Sequence, residues 1–420
     1  MCSVLIYGLD SQARSLAVQQ DSSDLVRFFL GTLNLKQENK IYLLEYDEEL
    51  SQINSLSFEH PVGEIWNIET SFSSGQYLST CYSDGLMKYR RAARIWRANI
   101  PEKKLKDVDA CEVGNLEALF DISPQEQSIK NLLWNPLGDT TFLSVGEKNV
   151  NMHDLTTLQS ILTVEPSVSK EPLFSGRWSP HHFAIKLFGN GLTRTNFAKQ
   201  KKYYNLHCLF ELLESESVKD HVGVLTLLVT FSFIQALFAA TQATSVLCWD
   251  SRSSSQVFCI ADAHMQAVRT VDFNPNKPYS LATGGDDGCI KFWDTRSCNE
   301  PLKILEQHTH WVWSVRYNHF HDQLLLSSGS DSKVCLHNVT SLSSDLFSHV
   351  ESSESGEDAL QCTRKELFED RIIKVYEDHE DSVYATEWSS ADPWVFASLS
   401  FDGRFVVNHV PSEVKYKILL

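Results

Sequence analysis

The sequence predicts an all-β fold, a propeller of seven four-stranded blades with an atypical insertion in the fourth. Three observations predict it. Segments starting at His264, His308 and His379 align with one another without gaps. Each carries the same punctuation: an Asp 23 residues after the histidine, a Ser or Thr four before that Asp, and Trp293, His337 or Asn408 six after it. Within each, apolar residues alternate ("AVRTVDF", "VWSVRY", "VYATEW"), the period of a half-buried strand. Recurrence of one supersecondary unit marks a repeat architecture.

The elements follow in chain order. "ARSLAVQQDSSDLVRFFLGTLNLKQENKIYLLEYD" reads as the opening blade. "GEIWNIETSFSSGQYLSTCYSDGLMKYRRAARIW" reads as the second, ending at Trp96 after an enlarged inner loop. "SIKNLLWNPLGDTTFLSVGEKNVNMHDL" is the third; Trp134 to His153 spans 19 residues, against 20 for Phe273 to Trp293. "SGRWSPHH" starts the fourth and "ALFAATQATSVLCWDSRS" finishes it. The three gapless segments are blades five to seven. Asp-Gly and Asp-Ser turns separate their inner strands. Closing the ring removes exposed sheet edges. Either "VLIYGL" near the start or "VKYKILL" at the end is available as the last blade's outer strand.

The fourth blade is too long. Trp178 to Trp249 spans 71 residues. The expected organisation is 1–182 for blades 1–3 and the start of blade 4, 183–235 for the insertion, and 236–420 for the rest, with an acidic loop at 342–370. The insertion reads as a protruding loop or, in preference, as translated non-coding sequence. Transcript sequencing across it separates the two. Its last residues, joined to the next strand as "VGVLTLLVTFSFIQALFAA", have the length of a membrane span. They also hold Thr, Ser and Gln, and their end is needed as a blade strand. The acidic loop, with "SSESGED", reads as a solvated connector.

The recurrent polar residues have a structural reading. His264, Thr283, Asp287 and Trp293 are spaced to form a hydrogen-bonded relay tying loops to strands. So are His308, Ser327 and Asp331, and His379, Ser398 and Asp402. This is the WD-repeat signature, and no metal site is expected: His310, His319 and His321 lie on turns without zinc spacing.

Composition narrows the function. The chain has 420 residues and a net charge of −17, which argues against nucleic acid as a partner. Its ten cysteines stand singly, with no C-x-x-C pair, and the first residues lack a signal-peptide pattern. A cytoplasmic protein with reduced thiols is expected. No nucleophile elbow, phosphate loop or HExxH occurs, so no enzyme and no cofactor are predicted. A binding surface is predicted instead. One position follows the first aliphatic residue of each first strand and opens onto the ring's narrow face: Trp66, Arg269, Trp313 and Tyr384. Asp286, Ser330 and Phe401, each preceding a turn Asp, should lie beside it. Trp, Tyr and Arg most often dominate interface energies.

"SGRWSPHH", "VDFNPNKPY", "CIKFWDTRS", "HTHWVWSVRYNHFHDQLLLSSGSDS", "EDHEDSVYATEWSSADPWVFASLSFDGR" and "KYKILL" together resemble the family of EARP- and GARP-complex-interacting WD-repeat proteins. The resemblance covers nearly the whole chain apart from the insertion and the acidic loop. It implies a monomeric, non-enzymatic adaptor that binds EARP or GARP tether subunits. The adaptor would reach membranes of the trans-Golgi network and recycling endosomes peripherally, through its partners. It would support endosomal recycling, retrograde transport and dense-core-vesicle cargo sorting. The alternative is a cullin-type ubiquitin-ligase substrate receptor or a histone or peptide reader using the same rim. The boxes Trp249-Asp250-Ser251-Arg252 and Trp293-Asp294-Thr295-Arg296 raise it.

Overall fold

Each alternating first strand pairs antiparallel with the strand that follows it, and the arrangement recurs as seven four-stranded sheets. The computed structural model describes residues 4–20, 24–35, 38–72, 74–83, 90–105, 114–123, 127–136, 140–157, 159–166, 171–181, 237–344 and 370–419. The predicted insertion at 183–235, and the acidic loop apart from 342–344 and Asp370, lie outside the described residues. Blade 1 runs Ala13–His60, blade 2 Glu64–Ile122, blade 3 Ile129–Val164 and blade 4 Leu173–Ile260. Blade 5 runs Val268–Glu306, blade 6 Val312–Tyr376, and blade 7 Val383–His409.

The open choice of outer strand resolves to the N-terminal segment. Leu5–Gly8 pairs with Arg404–His409, Leu5 opposite Val407 and Gly8 opposite Arg404. Blade 7 thus takes three strands from the end of the chain and one from the beginning. Ser412–Leu419, the other candidate, is an α-helix. Its Val414 and Ile418 pack on the seam of blades 6 and 7. Gly403 is required where the chain start passes: φ is +84°, and a Cβ there would meet the Ser11 carbonyl at 2.2 Å.

The apolar faces of the blades meet in seven clusters, one per seam. Phe28 and Leu30 of blade 1 pack with Phe405 and Val407 of blade 7. Phe292 of blade 5 packs with Tyr317 of blade 6. Trp249 of blade 4 packs with Leu133 and Val145 of blade 3. Burying one such large side chain contributes about 2–3 kcal/mol. The core is therefore a closed belt of interfaces with no single centre. The end of the apolar run read as a possible membrane span supplies the strand Leu237–Gln242 of blade 4. Among the described residues no helix is long and apolar enough to cross a membrane. The six cysteines among the described residues are free thiols.

Candidate interaction site at the mouth of the channel

All seven first strands carry a β-bulge, at the second residue of six of them and at the third, Trp66, of blade 2. A bulge leaves one residue out of the ladder and re-aims its side chain. The bulged residues are Arg14, Trp66, Lys130, Phe174, Arg269, Trp313 and Tyr384. Four of them are the predicted rim positions. Lys130 and Phe174 also follow a first aliphatic residue, so the same rule reaches them. Arg14 follows Ala13 and escapes it.

The bulges set these side chains around one end of the central channel. Arg14, from blade 1, lies across the mouth. Its guanidinium carbon is 5.3 Å from the ring centre of Trp66 (blade 2), 5.1 Å from Trp313 (blade 6) and 4.5 Å from Tyr384 (blade 7). Burial, with Arg91 and Arg269 nearby, lowers its pKa to about 10. Arg91 covers Trp66 at 3.7 Å. Arg269 reaches Phe174 at 5.1 Å, Trp311 at 5.5 Å and Trp313 at 5.2 Å. Trp311, 39% exposed, stands edge-on to Trp313, which in turn lies 4.8 Å from Tyr384. The residues before the turn aspartates stand beside their bulge partners. Arg269 forks onto Asp286 at 2.7 and 2.5 Å, Trp313 Nε1 donates to Ser330 Oγ at 2.6 Å, and Phe401 meets the Tyr384 ring at 5.7 Å. Trp66, Trp313 and Tyr384 are half-buried, so each rim aromatic both packs on its neighbours and keeps a face open.

Three positions further along the same strands a second ring forms. Arg177 Nε donates to Asp272 at 3.1 Å, and Arg316 Nε donates to Glu387 at 2.8 Å. Asp272 also accepts from the Tyr317 backbone N–H at 2.9 Å. Burial opposes the charge on Glu387, but Arg316 and Arg177 outweigh it and hold its carboxyl below the usual range. Burial likewise opposes the charge on Arg177, but Asp272, Glu387 and Glu69 outweigh it. Glu69 makes no ion pair among the described residues, and burial pushes it up to about 7 against the pull of Arg177.

The relays stand outside both rings. In blade 5, His264 Nδ1 is 2.8 Å from Asp287, its Nε2 is 2.7 Å from Thr283 Oγ1, and Trp293 Nε1 donates to the same hydroxyl at 3.0 Å. Burial opposes ionisation of Asp287, but His264 and the backbone N–H groups of Cys289 and Met265 bring its pKa down to about 2. In blade 6, His308 lies 3.0 Å from Asp331 and 2.8 Å from Ser327, which is 2.8 Å from His337. Blade 7 departs from the expected chain. His379 Nε2 meets Ser398 at 2.7 Å, but its Nδ1 meets Ser400 at 2.8 Å, and Ser400 donates to Asp402 at 2.5 Å. Ser400 stands between the two because blade 7 has Ser where blades 5 and 6 have glycine, Gly285 and Gly329. A relay that the spacing missed joins His60, Thr80 and Trp96 in blade 2. There the enlarged loop separates Trp from Thr by 16 positions instead of 10. Among the described residues no group of three His, Cys, Asp or Glu side chains could hold a metal ion.

A family model, the EIPR1 beta-propeller, matches residues 1–218 and 232–337, and a WD domain, G-beta repeat model matches 370–407. The chain belongs to the EIPR1 β-propeller family. Its relatives span almost their whole length against it. The zebrafish (Danio rerio) "EARP-interacting protein homolog" is 40% identical, covering 99% of this chain and 98% of its own. The human "EARP and GARP complex-interacting protein 1" is 38% identical with the same coverage. The Caenorhabditis elegans "EARP-interacting protein 1" is 30% identical over 100% and 99%. In this EIPR1-family chain the two Trp-Asp-x-Arg boxes close their own turns. Arg252 forks onto Asp250, at 3.3 and 3.1 Å, and Arg296 onto Asp294, at 2.9 and 2.6 Å.

Proposed function

We propose that this chain is a non-enzymatic adaptor that binds the EARP and GARP tethering complexes through the channel mouth. The single observation behind the reading is the continuous arginine–aromatic surface at the bulged positions, in a family whose members are named for that interaction. Trp, Tyr and Arg side chains that are half-buried before binding lose little further conformational freedom on it and gain most when a partner excludes water. The Ser or Thr, His and Asp side chains of the relays are engaged in holding loops to strands, which argues against their use as catalytic groups. The adaptor acts in the cytoplasm, at the trans-Golgi network and recycling endosomes, and reaches those membranes through its partners. It supports endosomal recycling, retrograde transport and dense-core-vesicle cargo sorting. The arginines that would serve a cullin linker are turned back onto Asp250 and Asp294, so the ligase reading gains nothing from geometry. Affinity purification with mass spectrometry tests the proposal. Tether subunits are expected; a cullin with its linker in their place would overturn it.

A further inference from the structure

The mouth is a cationic island on an acidic protein, and its charges do not balance. Arg269 is neutralised by Asp286, and Lys130 by Glu147 at 2.8 Å. Arg91 faces Glu147 and Glu64, and Glu64 also accepts from Trp66 Nε1 at 3.1 Å. Arg14 has no ion pair and no side-chain hydrogen bond among the described residues. Its surroundings there are three aromatic faces. A guanidinium stacked on rings keeps its N–H donors in the plane of the group, free to meet an acceptor. A carboxylate matches that fork with two parallel hydrogen bonds, and the low dielectric between aromatic walls strengthens them.

We infer that the mouth of the channel receives one Asp or Glu side chain from an extended acidic segment of a partner protein, with Arg14 as its anion-binding residue. The inference deepens the adaptor reading and rests on it for the partner's identity. Arg14, Arg91, Lys130 and Arg269 stand against Glu64, Glu147 and Asp286, and that surplus of one positive charge favours a carboxylate over a doubly charged phosphate. Trp311, 39% exposed, flanks the mouth beside Arg269 and Trp313 and offers apolar surface to the neighbouring residues of the same segment. Crossing three blades, Arg14 ties recognition to ring closure, because Tyr384 lies in the blade that the chain start completes.

Selection of a displayed random peptide library on the full chain tests the inference without any assumption about the partner. Enriched peptides are expected to share one Asp or Glu. Changing it to Asn or Gln should weaken binding at least about tenfold. Arg14→Gln should lose the same peptides, and Arg14→Lys, which keeps the charge without the fork, should fall between. Both variants are compared at equal thermal stability. Peptides that bind Arg14→Gln as well as wild type, or no acidic enrichment, would overturn the inference. So would tighter binding when the acid is replaced by phosphoserine. Capture of purified EARP complex by each variant separates the two claims. If wild type captures it and Arg14→Gln does so equally, the anion site fails and the adaptor reading stands. If neither captures it while the acidic peptides bind, the adaptor reading fails alone.

Discussion

Two rings of side chains line one channel, three residues apart on the same strands, and they spend charge in opposite ways. At the mouth, Arg14 is surrounded by Trp66, Trp313 and Tyr384 and faces no carboxylate. In the deeper belt, Arg177 is matched by Asp272 and Arg316 by Glu387, donor to acceptor across neighbouring blades. Apart from Glu69, the belt's charges are satisfied within the molecule, so these pairs hold first strands together and offer a partner nothing. The mouth is satisfied only in part, so it has donors and ring faces to give. A buried pair broken on one side leaves a stranded charge, whereas a partly open cation loses little when removed.

The contrast can be broken at either ring. The largest effect is expected from Asp272→Ala. It strands Arg177 and the Tyr317 backbone N–H, and should cost about 3–5 kcal/mol in chemical denaturation. Arg14→Gln should stay within about 1 kcal/mol of wild type in the same titration. Equal losses would erase the distinction between the rings.

Titration sharpens it. Glu69, the belt's unmatched acid, has a folded pKa near 7 against 4.5 when unfolded. A raised folded pKa means that the unfolded chain gives up its proton first. The associated stability is present below pH 4.5 and is lost as pH rises through 7. Glu69→Gln should therefore stabilise the protein at pH 8, by on the order of 2 kcal/mol, and change little at pH 5. Thermal melts at the two pH values check this; a gain of the same size at both would mean that Glu69 is not the titrating group.

The repeats allow a smaller test outside both rings. Asp287→Ala removes a carboxylate that His264 meets directly and should cost about 2 kcal/mol. Asp402→Ala should cost about half as much, since His379 keeps Ser400. Denaturation midpoints of the two variants compare them.

Much of this was legible from the residues. Blades 5–7 follow from their shared spacing and the first four from weaker copies of the same strand pattern, because a closed ring imposes one kind of unit throughout. The rim was readable where the repeat was well formed: Arg269, Trp313 and Tyr384 sit at one offset in segments without gaps. Arg14 was not, since the opening blade lacks the His and Asp that fix the register, and its bulge follows alanine. His60 was hidden by the enlarged loop that moves Trp96 away from Thr80. The belt is written as single charges inside apolar strands, Asp272, Arg316 and Glu387. No one blade shows their purpose, because each partner lies on a neighbour.

The most direct test of the mouth as a binding surface is the double variant Trp313→Ala with Tyr384→Ala, measured for capture of EARP subunits beside its thermal melt. Each truncated aromatic is expected to cost about 2 kcal/mol of binding, so capture should fall more than tenfold while the protein still unfolds in one cooperative transition. A folded double variant that captures the tether as well as wild type would place binding elsewhere on the ring.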